Sequence, residues 1–170
     1  YNAPGACVMG LTLEGKMAYL NKFQIQAGAT LQQSHYSEPH VWNKEAPAVK
    51  KMMRTPNTYG YFTATYTPIK PLSIALSGTY TGSMLVPHEP VPGFLENPIT
   101  VNTKDFFDIG LKAAYDFKLY KSMNLQINAG IQNIFNAYQD DFDKGADRDS
   151  GYIYGPSLPR SFFAGVKISY

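Results

Sequence analysis

SFFAGVKISY, residues 161–170, alternates on a single period. Phe162, Ala164, Val166, Ile168 and Tyr170 are apolar, and the residues between them, Ser161, Phe163, Gly165, Lys167 and Ser169, are mostly polar or small. A helix repeats every 3.6 residues and would mix the two sets, so this is a strand with one greasy face. The same pattern recurs in six upstream segments. The clearest runs from Phe23 to about Ser37, where Phe23, Ile25, Ala27, Ala29 and Leu31 oppose Gln24, Gln26, Gly28, Thr30 and Gln32. The others are about Val8–Tyr19, Thr58–Thr67, Leu72–Val86, Asp105–Leu119 and Met123–Phe135. Both sides of TYGYFTATYT, residues 58–67, carry aromatics, and its faces stay ambiguous.

The connections alternate in length. Tight turns at Leu-Asn-Lys, Pro-Ile-Lys-Pro and Tyr-Lys-Ser alternate with long stretches after the second, fourth and sixth strands. The second long stretch is proline-rich, which forbids a central strand there. Strands of this length exceed the usual ~5–6 residues of soluble sheets and match the roughly 9–11 that a tilted strand needs to cross a bilayer. Aromatic residues gather at strand ends (Tyr19, Phe23, Tyr66, Tyr115, Phe117, Tyr120, Tyr138, Tyr170), where interfacial girdles place them.

Composition agrees. The chain has 13 Tyr and 10 Phe but only 16% charged residues, which favours strands over solvated helices. Its mean hydropathy is slightly negative, and no run of about 18 apolar residues exists, so a membrane-spanning helix is excluded while a β-barrel is not. The polar face is Gln, Asn, Thr, Ser and Gly with scattered Lys and Asp, unlike the Lys- and Glu-rich face that a soluble sheet shows to water. A soluble sandwich alternates too, but the polar set could not furnish a second dry layer. The expected fold is therefore all-β, a transmembrane antiparallel β-barrel. Seven strands is an odd number, and an open arc would leave two unpaired edges in hydrocarbon. Residues 1–170 are accordingly expected to be the C-terminal arc of a larger barrel, with closing strands outside this sequence. No signal peptide opens the chain, and the lone Cys7 rules out an internal disulfide.

The stretch from Gly130 onward resembles the end of TonB-dependent outer-membrane receptors, in the form common among Bacteroidetes. The resemblance rests on GIQNIFNAY at 130–138, Tyr-Gly-Pro at 154–156, and Pro159-Arg160 leading into a terminal strand with a final aromatic; YTGSMLVPH at 80–88 is similar to an upstream signature of the group. It covers the chain from about Tyr59. It implies a barrel of about 22 strands around an N-terminal plug, with the plug and its TonB box absent from this chain. It also implies active import of a scarce nutrient (siderophore iron, cobalamin or similar), energised by the TonB complex, in the outer membrane of a Gram-negative bacterium. In such proteins the terminal strand is read by the barrel-assembly machinery, a role that would fall on Phe162, Val166, Ile168 and Tyr170. An unpaired amphipathic strand is a template for strand addition.

Candidate binding residues lie in the long connections. Tyr36, His40 and Trp42 form an aromatic group able to stack on a flat or sugar-like ligand, and His88, Tyr152 and Tyr154 join them as loop candidates. His35, His40 and His88 lack metal-site spacing. The acidic run DDFDKGADRD, residues 140–149, lacks the ligand spacing of an EF-hand and is expected to be a solvated loop. Lys44, Lys50, Lys51 and Arg54 make the first long connection basic, and Arg160 is expected to meet a loop carboxylate. Gln24, Gln26, Gln32, Lys112, Asp116, Gln126, Asn128 and Lys167 are expected to face a lumen and its plug. No cofactor, metal site or nucleophile–base pair is visible, and no basic run suits nucleic acid, so the expectation is a non-enzyme. A passive porin-like or adhesive barrel, and a soluble β-rich binding protein, remain the alternatives.

Overall fold

A computed structural model describes residues 5–120, 122–156 and 158–170, all of it strand, turn or loop. Ten strands follow in order: β1 Ala6–Tyr19, β2 Phe23–His40, β3 Val49–Lys51, β4 Thr58–Ile69, β5 Leu72–Thr81, β6 Leu85–His88, β7 Ile99–Asn102, β8 Phe106–Tyr120, β9 Met123–Gln132 and β10 Ser161–Ser169. The seven long strands form one antiparallel sheet in the order β1-β2-β4-β5-β8-β9-β10, with β3 beside β2; β6 and β7 make a separate hairpin. All seven expected strands are present. Two end early: the fourth stops at Thr81, where the chain leaves the sheet, and the sixth stops at Gln132. The proline-rich second connection contributes no central strand but does fold its own hairpin, with Pro87 in β6.

Turn chemistry fixes the hairpins. Leu20 and Asn21 both have positive φ, and Lys22 N–H donates to Tyr19 O at 3.0 Å, a tight turn inside the three-residue connection that pairs Tyr19 with Phe23. Pro68 falls inside β4, at an irregularity between Tyr66 and Ile69, where a missing ladder donor is tolerated. Lys121 of the expected Tyr-Lys-Ser turn lies outside the described residues, as do residues 1–4 and Ser157.

Register carries one face across the whole sheet. Met17 pairs with Ile25, Ile25 with Ala64, Ala64 with Leu76, Leu76 with Leu111, Leu111 with Ile131 and Ile131 with Phe162. Cross-strand partners point the same way, so these seven residues form one apolar row. The row below runs Tyr19, Phe23, Tyr66, Ile74, Ala113, Ala129, Ala164. The same arithmetic resolves β4: Phe62, Ala64 and Tyr66 share the apolar face, and Tyr59, Tyr61, Thr63 and Thr65 the polar one.

The apolar face is uncovered. Leu13 is 67% exposed, Phe162 77% and Val166 68%. The buried residues instead lie mostly in the loops: Val86, Pro98, Leu85, Val91, Tyr152 and Asn133. An apolar surface this wide marks contact with another protein or a membrane.

Three aromatic rings cover cross-strand glycines. Tyr61 lies over Gly28, Phe62 over Gly78 and Phe163 over Gly130, and a Cβ at those glycines would come within 2.7, 2.3 and 2.4 Å of the ring. Gly130→Ala must therefore push Phe163 aside and would also strike Leu111 O at 2.6 Å. Gly15→Ala meets nothing within 4 Å. Thermal unfolding of the full-length protein in detergent should show Gly130→Ala destabilised by about 1–3 kcal/mol, and Gly15→Ala unchanged or slightly stabilised.

Candidate functional site

Three loops leave the same end of the sheet: residues 41–57, 82–105 and 133–160. They fold together into a cap, and its order begins at Asn133 and Asn136 in the NIFN run. Both have positive φ, a region asparagine tolerates better than most residues. Asn133 is buried, and its amide makes three bonds: Nδ2 donates to Ala137 O at 2.8 Å and to Leu158 O at 3.0 Å, while Oδ1 accepts from Ala137 N–H at 2.8 Å. Asn136 Oδ1 accepts from Arg160 N–H at 2.9 Å. The start and end of the third loop are thereby clamped. Gly155 is needed by close approach, since a Cβ there would sit 2.8 Å from Gln139 N.

The second and third loops meet at His88. Its ring stacks on Tyr152 with centroids 3.8 Å apart and planes 3° from parallel, and its Nε2 donates to Asp143 Oδ2 at 2.9 Å. Asp143 also accepts from Asp149 N–H at 3.1 Å. Nearby, Asp141 takes both tyrosine hydroxyls, Tyr152 at 2.8 Å and Tyr154 at 2.5 Å. Gln139, buried, donates to Tyr152 O and accepts from Tyr154 N–H. The first loop joins through Arg54, whose guanidinium donates to Ile153 O at 3.1 Å and to Gly151 O, and whose N–H donates to Leu85 O at 2.7 Å. Asn43 donates to Glu89 at 2.8 Å, and Glu89 N–H donates to Asp149.

The cap reorders the sequence-derived candidates. His88 and Tyr152 are 5% and 2% exposed, so in this arrangement they hold loops together and offer little surface to a ligand. Tyr154 is half-buried on Asp141 and packs near Phe106, ring centroids 5.9 Å apart. Tyr36 and His40 do come together, centroids 4.8 Å apart, at the far end of β2, and Trp42 follows them with its indole N–H buried and unbonded. Among the described residues this group shares no hydrogen bond or ring contact with the His88 group. The acidic run is largely exposed, as expected of a solvated loop, except at Asp143, which is buried, and Asp149, which is half-buried. Asp140 binds Lys104 at 2.8 Å, and Asp141, Asp143 and Asp149 accept from the cap itself. No group of three or more candidate metal ligands occurs among the described residues. Arg160 contributes a backbone bond and no ion pair among those residues.

The expected lumen set lies on one face, opposite the apolar rows. Gln126 donates to Asp116 at 2.9 Å, Asn128 to Gly165 O, Gln32 to Pro56 O, and Gln26 to Tyr61, which in turn donates to Glu14. Sequence reasoning missed the roles of Asn133, Gln139, Asp141 and Asp143. Only Asn133 had a local signal, an asparagine directly after an alternating run.

Titration follows from these contacts. Burial works to raise the Asp141 pKa, but the hydrogen bonds from Tyr154 and Tyr152 outweigh it and hold the carboxyl below its ordinary value. Burial, reinforced by Asp141, pushes both phenols well above theirs. The Asp141 contribution is thus present above pH ~4 and lost as pH falls through its lowered value; the tyrosine contribution is present below pH ~10 and lost only at higher pH still.

A solved structure similar to this chain is the closed-form crystal structure of the ferric-catecholate import receptor Fiu from Escherichia coli K12. The match has a TM-score of 0.65 at 20% identity, over 95% of this chain and 20% of the receptor chain. The chain thus spans about a fifth of that receptor's length, and the likeness is one of fold: an antiparallel arc of a β-barrel. No family model and no curated protein matches the sequence.

Two outcomes follow for the cap. Asn133→Ala should destabilise the full-length protein by about 1–3 kcal/mol, because the buried amide's three bonds across the loop are lost, and Asn133→Asp should cost more by facing a carboxylate to the carbonyls of Ala137 and Leu158; chemical denaturation reads both. At pH ~10.5, wild type and Tyr154→Phe should show equal phenolate absorbance, since Tyr154 stays protonated where ordinary tyrosines ionise.

Proposed function

We propose that this chain forms the C-terminal arc of the barrel of a TonB-dependent receptor that imports a scarce nutrient across the outer membrane of a Gram-negative bacterium. The observation that carries the reading is the register. One uncovered apolar face runs unbroken through seven antiparallel strands, with tight turns at one end and a folded cap at the other. Hydrocarbon would cover that face, and the opposite face would line a wet lumen. The likeness to a ferric-catecholate import receptor supports an iron–siderophore cargo within this reading, with cobalamin or a similar nutrient as the other class. The Bacteroidetes form rests on the sequence motifs alone; the matched receptor comes from Escherichia coli.

In this reading the plug contacts the polar set led by Gln24, Gln26, Lys112 and Lys167. The TonB complex engages a segment outside this chain, and the assembly machinery reads β10 and Tyr170. By alternation from Ile168, Tyr170 points with the apolar row, and it is 99% exposed.

Uptake by cells carrying the full-length gene tests the proposal. Labelled ferric siderophore or cobalamin should enter the wild type, and a protonophore or loss of TonB should abolish entry. Uptake that persists without proton-motive force would identify a passive porin, and recovery of the protein in the aqueous phase of a detergent partition would remove the barrel reading altogether. Tyr170→Ala should lower the amount of assembled, heat-modifiable protein in outer membranes without changing its synthesis.

A further inference from the structure

Asp108 stands apart among the acids. Its register partner is Thr79, which puts it on the polar face, and it is half-buried. Asp143, buried, and Asp149, half-buried like Asp108, accept hydrogen bonds from His88 and from backbone N–H groups. Among the described residues Asp108 alone of these three accepts none. Its carboxylate oxygens are not sealed from solvent, so an incoming group can reach them, and a charged donor is the partner a half-buried carboxylate gains most from.

The surroundings are built for a guest. β9 ends at Gln132, so Asp108 has no ladder partner on that side, and the third loop bridges the gap with Pro156, Leu158 and Pro159. Beneath this roof lies a cavity of about 360 Å³ bordered by Ser77, Thr79, Asp108 and Gln132. A second cavity, about 180 Å³, lies between Asp108, Thr81, Phe106 and Tyr154. Asp108, Thr79 and Pro156 border both. One carboxylate with hydroxyls and an amide is too poor in charge for a calcium or magnesium site. It suits a cation that carries its own directional donors, with Asp108 taking the charge and Ser77, Thr79 and Gln132 accepting the remaining N–H groups. The nearest lysine on the same face, Lys112, lies four residues along β8, roughly 13 Å away, and Lys104 is held by Asp140.

We propose that the Asp108 cavity binds an ammonium or guanidinium group presented from the lumen. The proposal rests on the barrel reading. The group comes either from a solute passing through or from a segment of the full-length protein inside the barrel, and the two sources give different results below.

The test uses the full-length protein in outer membranes, with Cys7→Ser to remove the native thiol and Gln132→Cys as reporter. Modification rates are compared for a cationic and an anionic methanethiosulfonate of similar size. If solutes supply the cation, the cationic reagent should react at least about fivefold faster, Asp108→Asn should erase that preference, and methylguanidinium should slow the reaction. If an internal segment supplies it, the cationic preference is absent and Asp108→Asn produces a preference for the anionic reagent, exposing the unpaired cation. Equal rates for both reagents, unmoved by Asp108→Asn, overturn the proposal. Ile131→Cys is the control for the underlying reading, because it shares the apolar row with Leu111 and Phe162. Protection of Ile131→Cys beside a reactive Gln132→Cys upholds the barrel even if the cation site fails; equal reactivity of the two sinks the barrel first.

Discussion

A strand that slips by one residue against its neighbour turns its whole greasy side over to the other face. The sheet from β1 to β10 has six such interfaces, and through the body of the sheet parity is kept at all of them, so Met17 at one edge and Phe162 at the other belong to the same row. Two irregularities, within β4 and near the end of β8, fall at the turn end of the sheet, beyond the rows that matter most. The rings over Gly28, Gly78 and Gly130 act on the same requirement. Each fills the space left by a missing side chain and couples two strands in one alignment.

Such a sheet has no dry interior of its own. Its apolar rows are uncovered and its polar rows are wet, so the protein's buried groups collect mostly in the cap. There the hydrogen bonds are side chain to backbone or charge-assisted: His88 to Asp143, two tyrosines to Asp141, Arg54 to two carbonyls. Of these the His88–Asp143 bond is buried and contributes more than exposed pairs such as Lys104–Asp140, which solvent weakens. Three loops of irregular backbone can therefore stay folded at the end of a sheet that offers them little packing. The same cap roofs the cavity at Asp108, so loop order and the shape of the polar face are coupled.

The sequence carried some of this and concealed the rest for identifiable reasons. The NIFN and Tyr-Gly-Pro fragments were visible as a resemblance, but their physical purpose was not, because Asn133 reaches Leu158 and Gly155 approaches Gln139 across loop distances that no local period encodes. The acidic run was read as solvated, since five aspartates in ten residues look like a charged surface; most of it is exposed, yet partners as distant as His88 and Lys104 hold Asp143 and Asp140. His88 and Tyr152 passed for exposed loop aromatics, and burial gave them to each other.

The sequence by itself determined the strands, their alternating faces, the rhythm of tight turns and long loops, and hence an all-β sheet with one apolar side. Period-two patterning and turn residues are local properties, readable over a few positions. Only the tertiary structure decided which face of β4 is which, where the loops close on one another, and that Asp108 is left without a partner beside a cavity. Each of those depends on residues far apart in the chain, brought together by register and by the cap, and no short window of sequence contains both members of such a pair.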